Sequence, residues 1–223
     1  MTRPPLLALL TGLLLYGGAA AQSQEGDGET FSGLTVVSYG EQEVDLFTGA
    51  TILPDGGQIV AREHGVEIDG ERIEYVEGDY LEAQGVDVVA SFGSARAAEL
   101  HIDLASGNLT AAGGLSFSAN GQAIEAQGMR YDDAANVVSF TGPVTGAGPE
   151  FEAAAMVMDV DGSNLLLLAP YRYQDGLFEL TSQEEGAMLA LTRVGDEEQG
   201  GGSYRASSSV SPELLERLGA YLP

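Results

Sequence analysis

Three asparagines stand 28 residues apart, at Asn108, Asn136 and Asn164. Three alanines keep the same step, at Ala98, Ala126 and Ala154. A glycine column follows it at Gly114 and Gly142 until Pro170 breaks it. Coincident columns in one register mean a repeated supersecondary unit, stacked so that each copy buries the face it cannot bury alone. The functional question becomes what such a stack holds.

Each unit reads as strand, tight turn, strand, wider turn. In Ala98-Glu-Leu-His-Ile-Asp-Leu104, residues Ala98, Leu100, Ile102 and Leu104 share one face, and Glu99, His101 and Asp103 the other. This is the period of 2 of a half-buried strand. Ala154, Met156, Met158 and Val160 repeat the parity. The middle unit departs from it, with Met129 and Tyr131 apolar and Arg130 and Asp132 polar. Either Gly128 marks a bulge that flips the face, or that unit differs. Ala105-Ser-Gly-Asn108, Asp132-Asp-Ala-Ala-Asn136 and Asp161-Gly-Ser-Asn164 supply turns, since Gly and Asn tolerate positive φ. The repeat reaches backward more loosely: Phe47-Thr-Gly49 matches Phe140-Thr-Gly142, and Gly85-Val86 precedes Gly114-Leu115 by 29 residues.

Two further strands are expected at Leu177–Ser182 and Ala187–Val194, the first after an Asp175-Gly176 turn. A helix closes the chain, with Ser211 as N-cap, Pro212 at the first helical position, and an apolar stripe of Leu214, Leu215, Leu218, Tyr221 and Leu222. The expected organisation is a signal peptide at 1–21, a flexible acidic leader at 22–30, a β domain at 31–194, a Gly/Ser-rich linker at 195–210 and the helix at 211–223.

The signal is read from Arg3, the apolar run Leu6–Tyr16 and the small residues Ala19, Ala20 and Ala21. Its apolar run is shorter than the ~20 residues a spanning helix needs. The expected location is periplasmic or secreted. The sequence contains no cysteine and no lysine, so an exported form must hold itself without disulfides. After cleavage, 34 acids face eight arginines, a net charge of −26. Such a field repels nucleic acid, whose binding is dominated by basic side chains, and a bare anionic bilayer as well.

Catalytic and metal-binding patterns are not found. His64 and His101 stand in unrelated contexts without zinc-ligand spacing. Asp159-Val-Asp-Gly-Ser-Asn164 has Asn164 where a calcium loop needs its glycine and Pro170 where it needs glutamate, so it reads as a turn. Glu184-Glu185 and Glu197-Glu198 read as solubilising charge. Neither an enzyme nor a cofactor is expected.

The run Gly114-Leu-Ser-Phe-Ser-Ala-Asn-Gly-Gln-Ala-Ile-Glu-Ala-Gln-Gly-Met-Arg-Tyr-Asp-Asp-Ala-Ala-Asn-Val-Val-Ser-Phe-Thr-Gly-Pro-Val144 resembles the repeat of the OstA/LptA-type lipopolysaccharide-transport family. Phe47-Thr-Gly49 and Gly57-Gln-Ile-Val-Ala61 resemble that family's first unit. The resemblance spans about residues 31 to 182. It implies an all-β fold of antiparallel strands stacked into an open, V-shaped β-jellyroll, without catalytic residues. It also implies carriage of lipopolysaccharide acyl chains across the periplasm, and end-to-end assembly with other envelope transport proteins through exposed strand edges. The acidic, lysine-free composition and the C-terminal helix depart from the family.

The expected lining of an apolar groove is Leu100, Ile102, Leu104, Leu115, Phe117, Ile124, Phe140, Val144, Met156, Met158, Leu166 and Leu168. These residues either hold a lipid's acyl chains in an open groove or pack on one another in a closed, ligand-free structural or adhesive stack. Leu34–Tyr39, free of charge and proline, is expected as an open sheet edge, and the C-terminal helix as the cover of the opposite edge.

Overall fold

The computed structural model describes residues 29–31, 34–61, 66–90, 93–119, 121–160, 163–194 and 203–223. The expected signal segment, the leader up to residue 28, His64 and the glycine-rich residues 195–202 lie outside them.

Eight long strands carry the repeat. They are β6 (Val66–Val76), β7 (Tyr80–Ala90), β8 (Gly93–Asp103), β9 (Leu109–Ala119), β10 (Gln122–Asp132), β11 (Val137–Ala147), β12 (Glu150–Asp159) and β13 (Asn164–Asp175). Before them stand β1 (Glu29–Phe31), β2 (Leu34–Ser38), β3 (Glu43–Val44), β4 (Thr51–Leu53) and β5 (Gly57–Ala61). After them come β14 (Phe178–Ser182), β15 (Met188–Val194), β16 (Ser203–Ser207), the helix α1 (Pro212–Leu218) and a 3-10 turn at Gly219–Tyr221. Among the described residues the protein is thus all-β and antiparallel, one open sheet with a single short C-terminal helix. The strand order is β1-β2-β5-β6-β7-β8-β9-β10-β11-β12-β13-β15-β16, with β4 also on β6 and β14 also on β13. The chain divides into two compact units, residues 1–113 and 114–223.

The 28-residue step is a hairpin. The asparagine column marks the entry of returning strands: Asn108 precedes β9, Asn136 precedes β11 and Asn164 opens β13. Asn136 adopts φ 56°, the turn conformation that Asn tolerates.

The alanine and glycine columns mark a different feature. Each of several long strands switches its buried parity near its middle. In β6, Val66, Ile68 and Gly70 are buried, and then Ile73 and Tyr75. In β8, Ala97 is buried, and then Leu100 and Ile102, which leaves Ala98 exposed at the switch rather than on the Leu100 face. In β10 the change falls between Ala126 and Tyr131. There the pairing with β11 shifts register between Glu125 and Gly128. The extra residue belongs to β11, at Gly142-Pro143, and not to β10 at Gly128, while β6 and β8 switch parity with no shift in their pairing to β7. A second shift against β12 brackets the same two residues, and β13 shifts against β12 at Ala169-Pro170. A bulge tolerates proline because one residue drops out of the ladder.

Three sequence expectations are corrected. Glu29 and Thr30, expected in the leader, belong to β1, which pairs with Leu34–Val36 of β2. Leu34–Tyr39 therefore is not the outermost strand. Residues 203–207, expected as linker, form β16 on the far side of β15. The edge there is β16, and α1 does not cover it. Instead α1 lies on a sheet face, with Leu218 packed in a buried cluster with Val137, Val157, Leu166 and Ala190. The cap is as expected: the Ser211 hydroxyl accepts the Leu214 N–H at 3.2 Å, with Pro212 at the first position.

Candidate apolar binding face

Residues directly opposite in an antiparallel pair project to the same face, so the register defines the lining. In the second unit two apolar rows each cross five strands. One runs Tyr131, Val138, Met158, Leu165, Leu191; the other runs Met129, Phe140, Met156, Leu167, Leu189. Phe117 of β9 sets its ring 5.9 Å from that of Phe140, tilted by 54°. In the first unit the rows are Tyr75, Leu81, Ile102 and Leu53, Ile73, Ala83, Leu100. Each fully buried side chain of this size contributes about 1.5–3 kcal/mol.

These rows bring together Leu100 and Ile102 in the first unit, and Phe117, Phe140, Met156 and Met158 in the second. Leu104 is buried in the turn after β8, where its N–H donates to the Asp79 carbonyl at 2.8 Å. Leu115, Ile124 and Val144 are also buried; Ile124 lies opposite Gly146, beyond the bulge from the two rows. Leu166 and Leu168 fall on the other face. Leu166 pairs with Val157 and lies under α1, and half-buried Leu168 pairs with Ala155. The row members in that strand are Leu165 and Leu167. The run Leu165–Leu168 has no alternation from which to choose parity, but the Asp161–Asn164 turn held the signal. In the pairing of β12 with β13, Met158 stands opposite Leu165. Phe47, matched to Phe140 by its Phe-Thr-Gly motif, is fully exposed, whereas Phe140 is fully buried.

On the opposite face of the first unit the residues behind those rows, Arg72-Gln84-Glu99 and Glu74-Glu82-His101, are polar, whereas Val66, Ile68 and Val86 further along it are buried. A depression of about 450 Å³ is lined by Arg72, Glu74, Glu82, Gln84, Glu99 and His101, among others. His101 Nδ1 lies 3.1 Å from Glu82 Oε1, and its ring stacks on Tyr80 at 6.3 Å. The Tyr80 hydroxyl donates to Glu74 at 2.9 Å, and this bond to a carboxylate pushes its pKa up. Among the described residues no group of three or more His, Cys, Asp or Glu side chains is arranged to hold a metal ion. None of their helices is long and apolar enough to cross a membrane.

No family model matches the chain. No curated protein matches it either. A solved structure that it is similar to is LptH from Pseudomonas aeruginosa, the LptA homologous periplasmic component of the conserved lipopolysaccharide transport device. The two are 14% identical, over 44% of this chain and 78% of that one, at a TM-score of 0.40.

Proposed function

We propose that this chain is an exported envelope protein that binds and carries lipid, holding acyl chains of lipopolysaccharide or another envelope lipid along its apolar rows. The observation that supports this most is the pair of five-strand apolar rows on one face of a sheet whose strand order does not close on itself. All of these row residues but Met129 are buried without a ligand, so an acyl chain would enter by displacing side chains that now cover them, and would gain about 0.8 kcal/mol for each buried CH₂. Met129, Met156 and Met158 give the lining an unbranched, adaptable surface that suits chains of varied length. Partners in the envelope would be met by strand addition at β16 or β1, whose outer N–H and C=O groups offer a template. Lipopolysaccharide as the cargo, the periplasm as the compartment and a lining that includes Leu100, Ile102, Phe117, Phe140, Met156 and Met158 belong to the same proposal.

The second reading is a ligand-free β-stack. It is favoured by the burial of ten of the twelve expected lining residues within the protein itself. Native mass spectrometry of protein purified from its own envelope separates the two. Co-purified acyl lipid, reduced by Met156→Asp in a variant that stays folded, is the expected result. Wild type without lipid would leave the ligand-free stack.

A further inference from the structure

Each unit carries a hairpin tip that presents the same dipeptide to solvent. In the first unit Leu46 and Phe47 cap the β3–β4 hairpin at 91% and 102% exposure. In the second, Leu177 and Phe178 cap the β13–β14 hairpin at 102% and 79%. Turn apices favour Gly, Asn and Asp, so local backbone preference does not account for bulky apolar residues there. The first tip is also built. Asp45 Oδ1 accepts the Phe47 N–H at 2.8 Å, the Asp45 carbonyl accepts the Gly49 N–H at 2.7 Å, and the Asp45 N–H donates to the Ala50 carbonyl at 2.9 Å. The second is a tight turn in which Asp175 lies opposite Phe178. Two ordered loops thus hold Leu-Phe pairs clear of the protein.

We propose that these two tips are interfacial anchors that insert into the headgroup boundary of a lipid surface without net negative charge. Phe47 and Leu177 have no protein neighbours around them, so whatever covers them must surround them. A fluid apolar layer does so without a preformed pocket, and amphipathic elements that enter only the headgroup and acyl boundary work this way. Charge defines the depth and the surface. Residues 46–54 carry no charge, while Asp45 and Glu43 stand just behind the first apex. Asp175 and Glu179 flank the second. The carboxylates stop entry at the headgroups, and with a net charge of −25 they oppose a bare anionic bilayer. The complementary surface is zwitterionic, or anionic and covered by divalent cations.

The chain has no tryptophan, so Phe47→Trp at the first apex and Phe178→Trp beside the second are single-tryptophan probes. Each is mixed, as the full mature chain, with phosphatidylcholine vesicles. The same is done with vesicles containing phosphatidylglycerol, with and without Mg²⁺. The expected result is a blue-shifted emission, quenched by brominated acyl chains, on phosphatidylcholine. The signal should be lost on phosphatidylglycerol vesicles and restored by Mg²⁺. In flotation, Leu46→Ser/Phe47→Ser and Leu177→Ser/Phe178→Ser should each weaken binding about tenfold or more, with unchanged circular dichroism and unchanged lipid co-purification. Unshifted emission on every vesicle would overturn the proposal and assign the tips to a protein pocket. Equal flotation of wild type and the combined four-residue variant would overturn it too.

Discussion

Gly142 shows what single residues contribute to this fold. It takes φ +82° where β11 carries its extra residue, and an added Cβ would meet the Gln127 Cβ at 2.6 Å. Gly78, in the β6–β7 turn, has φ +77° but nothing within 4 Å. Gly142→Ala should therefore lose about 2–4 kcal/mol, strain and clash together, and Gly78→Ala about 1 kcal/mol, from strain alone. Chemical denaturation of the two variants checks the difference. Tyr39 gives a pH signature. Its hydroxyl donates to Asp69, and that hydrogen bond pushes its pKa up to about 12. A phenol whose folded pKa is raised stabilises the protein below its ordinary value of 10, and that contribution is lost as pH rises toward 12. Tyr39→Phe should remove one late-titrating phenolate from the ultraviolet absorbance titration. On the acid side, Asp45 is held below its ordinary 3.8 by the Phe47 N–H, and Asp103 by the Ser106 N–H. Their contributions are present above that value and fade as pH falls below it.

At the scale of elements, α1 depends on the sheet beneath it. Seven helical residues are too few to stand alone, since isolated helices below about 12–15 residues are marginal in water. Leu218 enters the cluster of Val137, Val157, Leu166 and Ala190. The other tie is polar. Asp159 Oδ2 accepts from Arg217 Nη2 at 2.7 Å, Asn164 Nδ2 at 2.8 Å and the Ser163 hydroxyl at 3.1 Å. Asp159 is mostly buried and Arg217 is half-exposed, so the carboxylate is the group that needs its partners. Asp159→Ala should cost about 2–3 kcal/mol and raise amide exchange across residues 211–222. Leu218→Asp should release the helix outright while β6 to β8 keep their protection. Hydrogen exchange measured by mass spectrometry reads both.

At the scale of the whole molecule, charge is the strongest influence outside the core. With 34 acids and nine basic side chains, the folded chain repels itself. Surface pairs such as Arg96–Asp87 at 2.7 Å and Arg172–Glu179 at 2.9 Å are exposed and offset little of this. Raising ionic strength from millimolar to near-molar should therefore increase Tm, by about 2–4 °C for each kcal/mol of relieved repulsion. A Tm that falls with salt would mean that ion pairs outweigh net repulsion. The apolar rows are insensitive to this field, which separates lipid carriage along them from the charge-gated contact proposed for the hairpin tips.

The 28-residue columns by themselves determined the antiparallel hairpin stack, because a repeat can bury its face only against its copies. Ser211 and Pro212 likewise determined where the helix starts, since capping and a missing N–H act within one turn. Leu100, Ile102, Met156 and Met158 were legible as one-face residues because alternation holds over half a strand. It does not hold over a whole one: Ala98 falls at a parity switch, and the residues that make the switch possible lie on neighbouring strands. Which of Leu165–Leu168 face the rows, and that Leu166 instead supports α1, depended on register across β12, β13 and β15. The motif shared by Phe47 and Phe140 said nothing of their opposite environments. A side chain's exposure is decided by what tertiary packing brings over it, and no local pattern carries that information.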